Sequence, residues 1–321
     1  MPLCRIFLHP SDLSFKLLRE STSYFGHNPR RCFEASSSVV LLGDKIQEVA
    51  SAIRRAVGST SYNIMQLLNE AQTGGSDVSH TIFQIFPSNT DTNRLLSHCH
   101  FEPVSRWALD LLLCQYEAEQ ANAAADFFHK ISGMREAASL RGYLFERQVL
   151  KYLDDIDTDC NLSIRGLSSS DHFDQITWTY PGPIGRATFQ EPAVIDTIKN
   201  AVESSTSLHL VPSAPNFPAV DSIVYHPNEA LTCVQITTSS DHPISVPGLE
   251  RIQGWLKRGT PPAGLRPNKT RPWRFLFIVP PDMASTFTLQ ELKDDSLNGE
   301  WAGKVDQYVL GWKEQDFFGR S

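Results

Sequence analysis

The chain has 321 residues, of which 41% are hydrophobic and 20% charged, a composition typical of globular proteins with a substantial core. The formal net charge of −7 excludes an overall basic character of the kind that marks many nucleic-acid-binding proteins. Apolar runs are too short for a signal peptide or a membrane span, and the six cysteines form no Cys-x-x-Cys motif. The sequence thus predicts an intracellular protein, nuclear or cytoplasmic, with reduced thiols and no membrane partner.

Residues 1–130 are predicted to form a mostly helical domain. The spacing of apolar residues predicts helices over about residues 11–24, from Arg30 onward, and over 42–53, 62–71 and 105–129. Ser105, before the last of these, is typical of a helix N-cap. Short strands are predicted at residues 5–9 and 81–86, the second ended by Pro87.

Residues 131–321 are predicted to form an α/β domain in which helices and strands alternate. Helices are predicted over 139–153 and 246–257, and an Asp/Ser-rich loop follows the first. Strands are predicted at 175–180, 186–190, 207–211, 219–226, 231–237, 274–279 and 304–310. The Pro/Gly-rich segment between the first two strands indicates that they form a hairpin.

A second predicted hairpin, of strands 219–226 and 231–237, brings polar residues into an apolar context. Asp221 lies on its first strand, and Gln235 and Thr237, two residues apart, share one face of the second strand. Such a set suits a metal site with oxygen ligands, and it equally suits a buried hydrogen-bonded cluster. The pattern alone leaves both interpretations open.

Glu146 is the second candidate carboxylate. It lies three, four and seven residues before Val149, Leu150 and Leu153, so helical periodicity directs it toward an apolar face. A carboxylate in that position is costly without a partner. The partner is either a metal ion or one of the neighbouring arginines, Arg141 and Arg147.

The order helix, hairpin, two core strands, helix and strand resembles the PD-(D/E)XK restriction-endonuclease-like core. This resemblance implies a three-layer αβα fold with a mixed sheet over residues 131–321. It also implies that Glu146, Asp221 and Gln235 ligate Mg²⁺ for phosphodiester hydrolysis. Gln235 stands where the family pattern has Asp or Glu.

Thr237 stands where the same pattern has Lys, so the resemblance places it in a degenerate catalytic position. A hydroxyl cannot supply the charge of an ammonium group. Catalysis therefore requires a basic residue from elsewhere in the chain, and the candidates are Arg251, Lys257 and His242.

The chain also resembles, over most of its length, the Crinkler and retrotransposon-hot-spot-like proteins of fungi and other eukaryotes. The residues that carry the resemblance are Tyr24-Phe-Gly-His-Asn-Pro-Arg-Arg-Cys-Phe-Glu-Ala35, Glu102-Pro-Val-Ser-Arg-Trp107, Ser139-Leu-Arg-Gly-Tyr-Leu-Phe-Glu146, Asp221-Ser-Ile and Gln235-Ile-Thr-Thr. In such proteins a P-loop NTPase module commonly precedes a nuclease-like module, but no GxxxxGK[ST] motif occurs here. The resemblance then implies that residues 1–130 are an NTPase lid remnant, that this chain binds no ATP, and that an NTPase module or another protein is a partner.

A basic stretch follows the second hairpin. From Arg251 to Pro280 there are seven Lys or Arg residues and no acidic residue. The candidates for phosphate contacts are Arg251, Lys257, Arg258, Lys269 and Arg271. Trp255 and Trp273 are candidates for base stacking. The alternative is that the basic residues lie on an ordinary solvated helix face and loop and that both tryptophans belong to the core.

Two functions follow from these patterns. The first is a metal-dependent nuclease, or a nuclease-derived domain that binds nucleic acid. The second is a catalytically inactive interaction or regulatory module with the same fold, as in a Crinkler-type effector.

Overall fold

The structure is a computed structural model. It describes residues 15–26, 28–57, 81–87, 99–119, 138–167, 175–182, 184–189, 194–212, 217–227, 229–258, 265–293 and 300–312. The chain forms two compact units, Met1–Tyr143 and Leu144–Ser321. The domain boundary predicted between residues 130 and 131 lies within the first unit.

The first unit is mostly helical where it is described. Its helices are α1 (Phe15–Phe25), α2 (Pro29–Ala35), α3 (Val39–Val57) and α4 (Arg106–Glu119), and its strands β1 (Phe83–Pro87) and β2 (Cys99–Pro103) form an antiparallel hairpin. Four predicted helices and the strand at 81–86 are therefore confirmed. The helix predicted at 62–71 and the strand predicted at 5–9 lie outside the described residues.

Helix N-caps explain where two of these helices begin. The Arg31 backbone N–H donates to Asn28 Oδ1 at 3.1 Å, and Pro29 occupies the first turn, where its missing N–H costs nothing. The Ala108 N–H likewise donates to Ser105 Oγ at 3.1 Å, which confirms the predicted cap.

Gly26 has a φ of +57°, and a Cβ there would overlap the Val104 carbonyl oxygen, so only glycine fits.

The second unit contains one large sheet and two short strands. Its helices are α5 (Ala138–Asp154, which begins in the first unit), α6 (Val194–Glu203), α7 (Val246–Arg258) and α8 (Pro281–Ala284). Its strands are β3 (Cys160–Leu167), β4 (Gln175–Tyr180), β5 (Gly185–Phe189), β6 (Leu208–Pro212), β7 (Ser222–Tyr225), β8 (Thr232–Ile236), β9 (Ile244–Ser245), β10 (Trp273–Val279), β11 (Leu292–Lys293) and β12 (Val305–Gly311).

The large sheet has eight strands in the order β4-β3-β12-β10-β8-β7-β6-β5. Strands β8, β10 and β12 are parallel to one another, and antiparallel pairs join β12 to β3, β3 to β4, β8 to β7 and β7 to β6. The predicted α/β class with a mixed sheet is confirmed.

Two local predictions in this unit are wrong. Strand β3 occupies part of the Asp/Ser-rich stretch that was predicted to be a loop. The prediction failed because charged neighbours obscure the apolar pattern of its buried residues Ile164 and Leu167. Strands β4 and β5 do not form a hairpin, since they lie at opposite ends of the sheet. The Pro/Gly-rich segment between them crosses from one end of the sheet to the other.

This connection requires the sheet to curl. Eight strands laid flat would place the outer two about 34 Å apart. The chain from Tyr180 to Gly185 reaches at most about 19 Å. The two ends therefore approach each other, and the Tyr180 hydroxyl on β4 contacts His209 Nδ1 on β6 at 3.1 Å.

The curl gives the sheet an inner and an outer face. Tyr180 and His209 meet across the inner face, which Asp154 at the end of α5 also reaches. Alternation along β10 directs Phe275 and Phe277 to the outer face, where they join an apolar cluster with residues of α6 and α7. The principal core of this unit lies between that face and the two helices.

Candidate functional site

Strands β7 and β8 form the predicted antiparallel hairpin, with Ser222 opposite Val234. The segment before β7 is tightly constrained. Ala219 has a φ of +82°, a region that residues with a Cβ rarely adopt. A Cβ on Gly248 of α7 would lie 2.4 Å from the Pro218 carbonyl oxygen, so glycine is required for α7 to approach this segment. Together these contacts fix the backbone just before Asp221.

Asp221 and Gln235 are in direct contact. The Gln235 side-chain amide donates from Nε2 to Asp221 Oδ2 at 2.7 Å, and the Ile236 backbone N–H donates to the same oxygen at 2.6 Å. Gln235 is 8% exposed. The hydrogen-bonded cluster that the sequence allowed is therefore present, and it places two oxygen-bearing side chains side by side.

Thr237, which stands where the family pattern has Lys, lies next to a histidine. Its hydroxyl accepts the Ser239 backbone N–H at 3.0 Å and lies 3.4 Å from His242 Nδ1. Burial lowers the pKa of His242, against the opposing effect of Asp241. The imidazole beside Thr237 is therefore neutral at neutral pH.

Two glutamines hold the loop that carries His242, and no sequence pattern indicated either of them. Gln290 accepts the His242 backbone N–H at 2.6 Å and donates to the Ser240 carbonyl at 3.2 Å. Gln307 accepts the Gln290 backbone N–H and donates to its carbonyl, at 2.9 and 2.8 Å. Both glutamines are buried, so the position of His242 depends on internal hydrogen bonds.

The remaining basic candidates have other surroundings. The Arg251 guanidinium lies 5.2 Å from the centre of the Phe217 ring. Helix α7 includes Lys257 and Arg258, whose side chains lie outside the described residues. Lys269 is exposed, and Arg271 donates to the Glu229 carbonyl at 3.2 Å.

Trp255 and Trp273 are core residues. They are 3% and 2% exposed, and Trp273 Nε1 donates to the Leu265 carbonyl at 2.8 Å. The interpretation of these tryptophans as base-stacking residues is wrong, and the alternative is confirmed for the two tryptophans alone. Phosphate contacts by the exposed cations of the stretch stay a prediction.

Glu146 lies half-buried on α5. The register places Gln235 beside Phe277 on the outer face, whereas the helix that carries Glu146 meets the inner face through Asp154. Among the described residues, no group of three or more His, Cys, Asp or Glu side chains is placed to hold a metal ion. A shared metal for Glu146, Asp221 and Gln235 stays a prediction.

The structure also reveals a polar cluster that the sequence did not indicate. It consists of Asp154, Tyr180, Arg186 and His209, which we call the closure cluster. Arg186 forms an ion pair with Asp154 Oδ2, and Asp154 Oδ1 lies 3.7 Å from His209 Nδ1. These residues come from α5, β4, β5 and β6, so only the curled sheet brings them together.

Comparison with known proteins gives no match: no family model, no curated protein and no solved structure is significantly similar to this chain. No helix among the described residues is long and apolar enough to cross a membrane.

Proposed function

We propose that residues 144–321 form a nuclease-derived domain of the restriction-endonuclease-like, Crinkler-related type, which binds nucleic acid and hydrolyses phosphodiesters at Asp221. The observation that supports this most directly is the contact between His242 and Thr237. In this proposal His242 is the side chain that takes up a catalytic role beside the position where the family pattern has Lys.

The donor set fits a hard divalent cation in part. Mg²⁺ prefers oxygen ligands, and the contacting side chains of Asp221 and Gln235 carry carboxylate and amide oxygens, with the amide nitrogen turned toward the carboxylate. Because Gln235 Nε2 is engaged by Asp221, the carbonyl oxygen is the end of this amide that can bind a cation. Asp221 and Gln235 would hold the ion, which would supply Lewis-acid activation when bound. Glu146 is left out of the proposed site, because its helix meets the opposite face of the sheet.

His242 has a defined task in this scheme. A neutral imidazole accepts a proton, whereas the lysine of the family pattern supplies a positive charge. His242 would therefore act as a general base toward the attacking water. Such a site is active only above the pKa of His242, which burial lowers.

One observation favours the second candidate function, an inactive module that binds a protein or NTPase-module partner. Asp221 Oδ2 already accepts two hydrogen bonds from its own hairpin. These bonds satisfy that oxygen without a metal ion. In that case the site serves to hold β7 and β8 together.

Cleavage of plasmid DNA and of single-stranded RNA by the purified 321-residue protein tests both functions. Reactions with Mg²⁺, Mn²⁺ or EDTA compare wild type with Asp221→Asn, His242→Gln and the surface control Glu203→Gln, which removes only an exposed ion pair. We expect metal-dependent cleavage that falls about 100-fold or more in the first two variants and is unchanged in the third. Equal cleavage by wild type and Asp221→Asn would overturn the assigned site.

A binding assay separates the two functions when no cleavage is seen. Salt-dependent binding of nucleic acid by an inactive protein supports the nuclease-derived domain without catalysis. Absence of both cleavage and binding supports the protein-interaction module.

A further inference from the structure

The closure cluster connects β4 with β5 and β6, and within the described sheet β4 is paired with neither of these two strands. Tyr180 lies on β4, at one end of the strand order, while Arg186 and His209 lie side by side on the paired strands β5 and β6 at the other end. Asp154, from the last turn of α5, contacts both Arg186 and His209. The four side chains therefore link both ends of the sheet to the helix on its inner face.

We propose that the closure cluster is an acid-sensitive device that holds the two ends of the sheet together at neutral pH and releases them when His209 takes up a proton. The proposal does not depend on the nuclease-like function. It concerns a conformational change of the second unit.

The surroundings of His209 disfavour its charged form. The side chain is fully buried, and its Nε2 has no hydrogen-bond partner within the described structure. A neutral ring can carry its single proton on Nδ1, beside the Tyr180 hydroxyl, whereas a protonated ring adds a buried N–H at Nε2 that has no acceptor. The groups that face the ring are Asp154 from α5, Tyr180 from β4 and Arg186 from β5, and on β7 the residue in register is the apolar Val224.

The charges around the ring nearly cancel. The Asp154 carboxylate, 3.7 Å from Nδ1, would favour an imidazolium, but Arg186 is paired with that carboxylate and repels a second cation. Burial, with a smaller effect from Arg186, lowers the pKa of His209 to about 4. Opening the sheet returns the ring to water, where its pKa is about 6.5.

The difference between the pKa of His209 in the closed and the open form determines the direction and size of the pH effect on opening. Between about pH 6.5 and pH 4 the open form binds a proton that the closed form does not, so acid favours opening. Linkage predicts that the opening constant is about 20-fold larger at pH 5 than at pH 7. The segments that should open are β4 and β5, while β8 and β10 at the centre of the sheet should stay closed.

Amide hydrogen exchange of the full chain at pH 7 and pH 5, corrected for intrinsic rates, tests the proposal. We expect peptides that cover 175–189 to lose about 20-fold in protection at pH 5, relative to peptides from β8 and β10. In His209→Gln, which keeps a hydrogen-bonding side chain but cannot titrate, protection at 175–189 should not change between the two pH values.

Two further variants distinguish local opening at the closure cluster from a general loss of stability. Asp154→Asn removes the ion pair with Arg186 and should lower protection of 175–189 already at pH 7. Glu203→Gln, which removes a surface ion pair on α6, should behave as wild type. The proposal is overturned if wild type loses protection equally in all strands, or if His209→Gln opens at pH 5 as wild type does.

Discussion

Gln235 and Asp221 form a hydrogen bond of 2.7 Å across the β7–β8 hairpin, and the backbone N–H of Ile236 joins it on the same carboxylate oxygen. The contact explains why a carboxylate and an amide occupy an otherwise apolar pair of strands. It also means that a substitution intended to test catalysis will affect stability.

Replacement of Asp221 should therefore give different results for alanine and asparagine. Asp221→Ala leaves the Ile236 N–H without its acceptor and should lower the free energy of unfolding by about 1–3 kcal/mol. Asp221→Asn keeps an oxygen acceptor, and the Gln235 amide can rotate to match it, so the loss should be about 1 kcal/mol or less. Urea unfolding followed by tryptophan fluorescence measures both. Equal losses would show that the Ile236 contact does not stabilise the hairpin.

Tyr180 should matter to stability far more than its neighbour on β4. Tyr180→Phe leaves buried His209 Nδ1 without the hydroxyl and should cost about 1–3 kcal/mol. Thr179→Val removes an exposed hydrogen bond to Asn161 Oδ1 and should change stability by less than about 0.5 kcal/mol. The same urea titration provides the comparison. A loss in Thr179→Val as large as that in Tyr180→Phe would contradict the contact across the sheet.

The overall stability of the protein should fall in acid because of His209. The folded state keeps this ring neutral down to about pH 4, so the unfolded state binds more protons below about pH 6.5. Between pH 7 and pH 4.5 wild type should lose about 2 kcal/mol more than His209→Gln. Taking the difference between the free energies of unfolding of wild type and His209→Gln removes the contribution of carboxylates that titrate in both proteins. Parallel stability curves would mean that His209 is not buried in its neutral form.

Cysteine labelling should distinguish Cys233 from Cys114. Burial raises the pKa of Cys233 to about 12, so at pH 8 only about one thiol in 10⁴ is the reactive thiolate. Cys114 is exposed. Iodoacetamide at pH 8 should modify Cys114 in the native protein and Cys233 only after unfolding in guanidinium, as read by mass spectrometry. Native labelling of both at the same rate would place Cys233 outside the core.

The sequence determined the elements whose signals are local. Period-2 alternation and turn composition located β7 and β8, and helical periodicity with a side-chain cap located α4, because these patterns depend on residues a few positions apart. It also identified Asp221 and Gln235 as a pair, since strands joined by a tight turn must lie side by side.

Only the tertiary structure decided how the ends of the sheet meet. The segment from Pro181 to Gly185 has a composition typical of a turn, yet it connects the two opposite ends of an eight-stranded sheet. Strand order is set by pairings between residues far apart in sequence, and no local pattern encodes them. The contacts of His209 with Asp154 and Tyr180 follow from this closure, and the contact of His242 with Thr237 follows from the packing of loops. For that reason the sequence alone did not predict them.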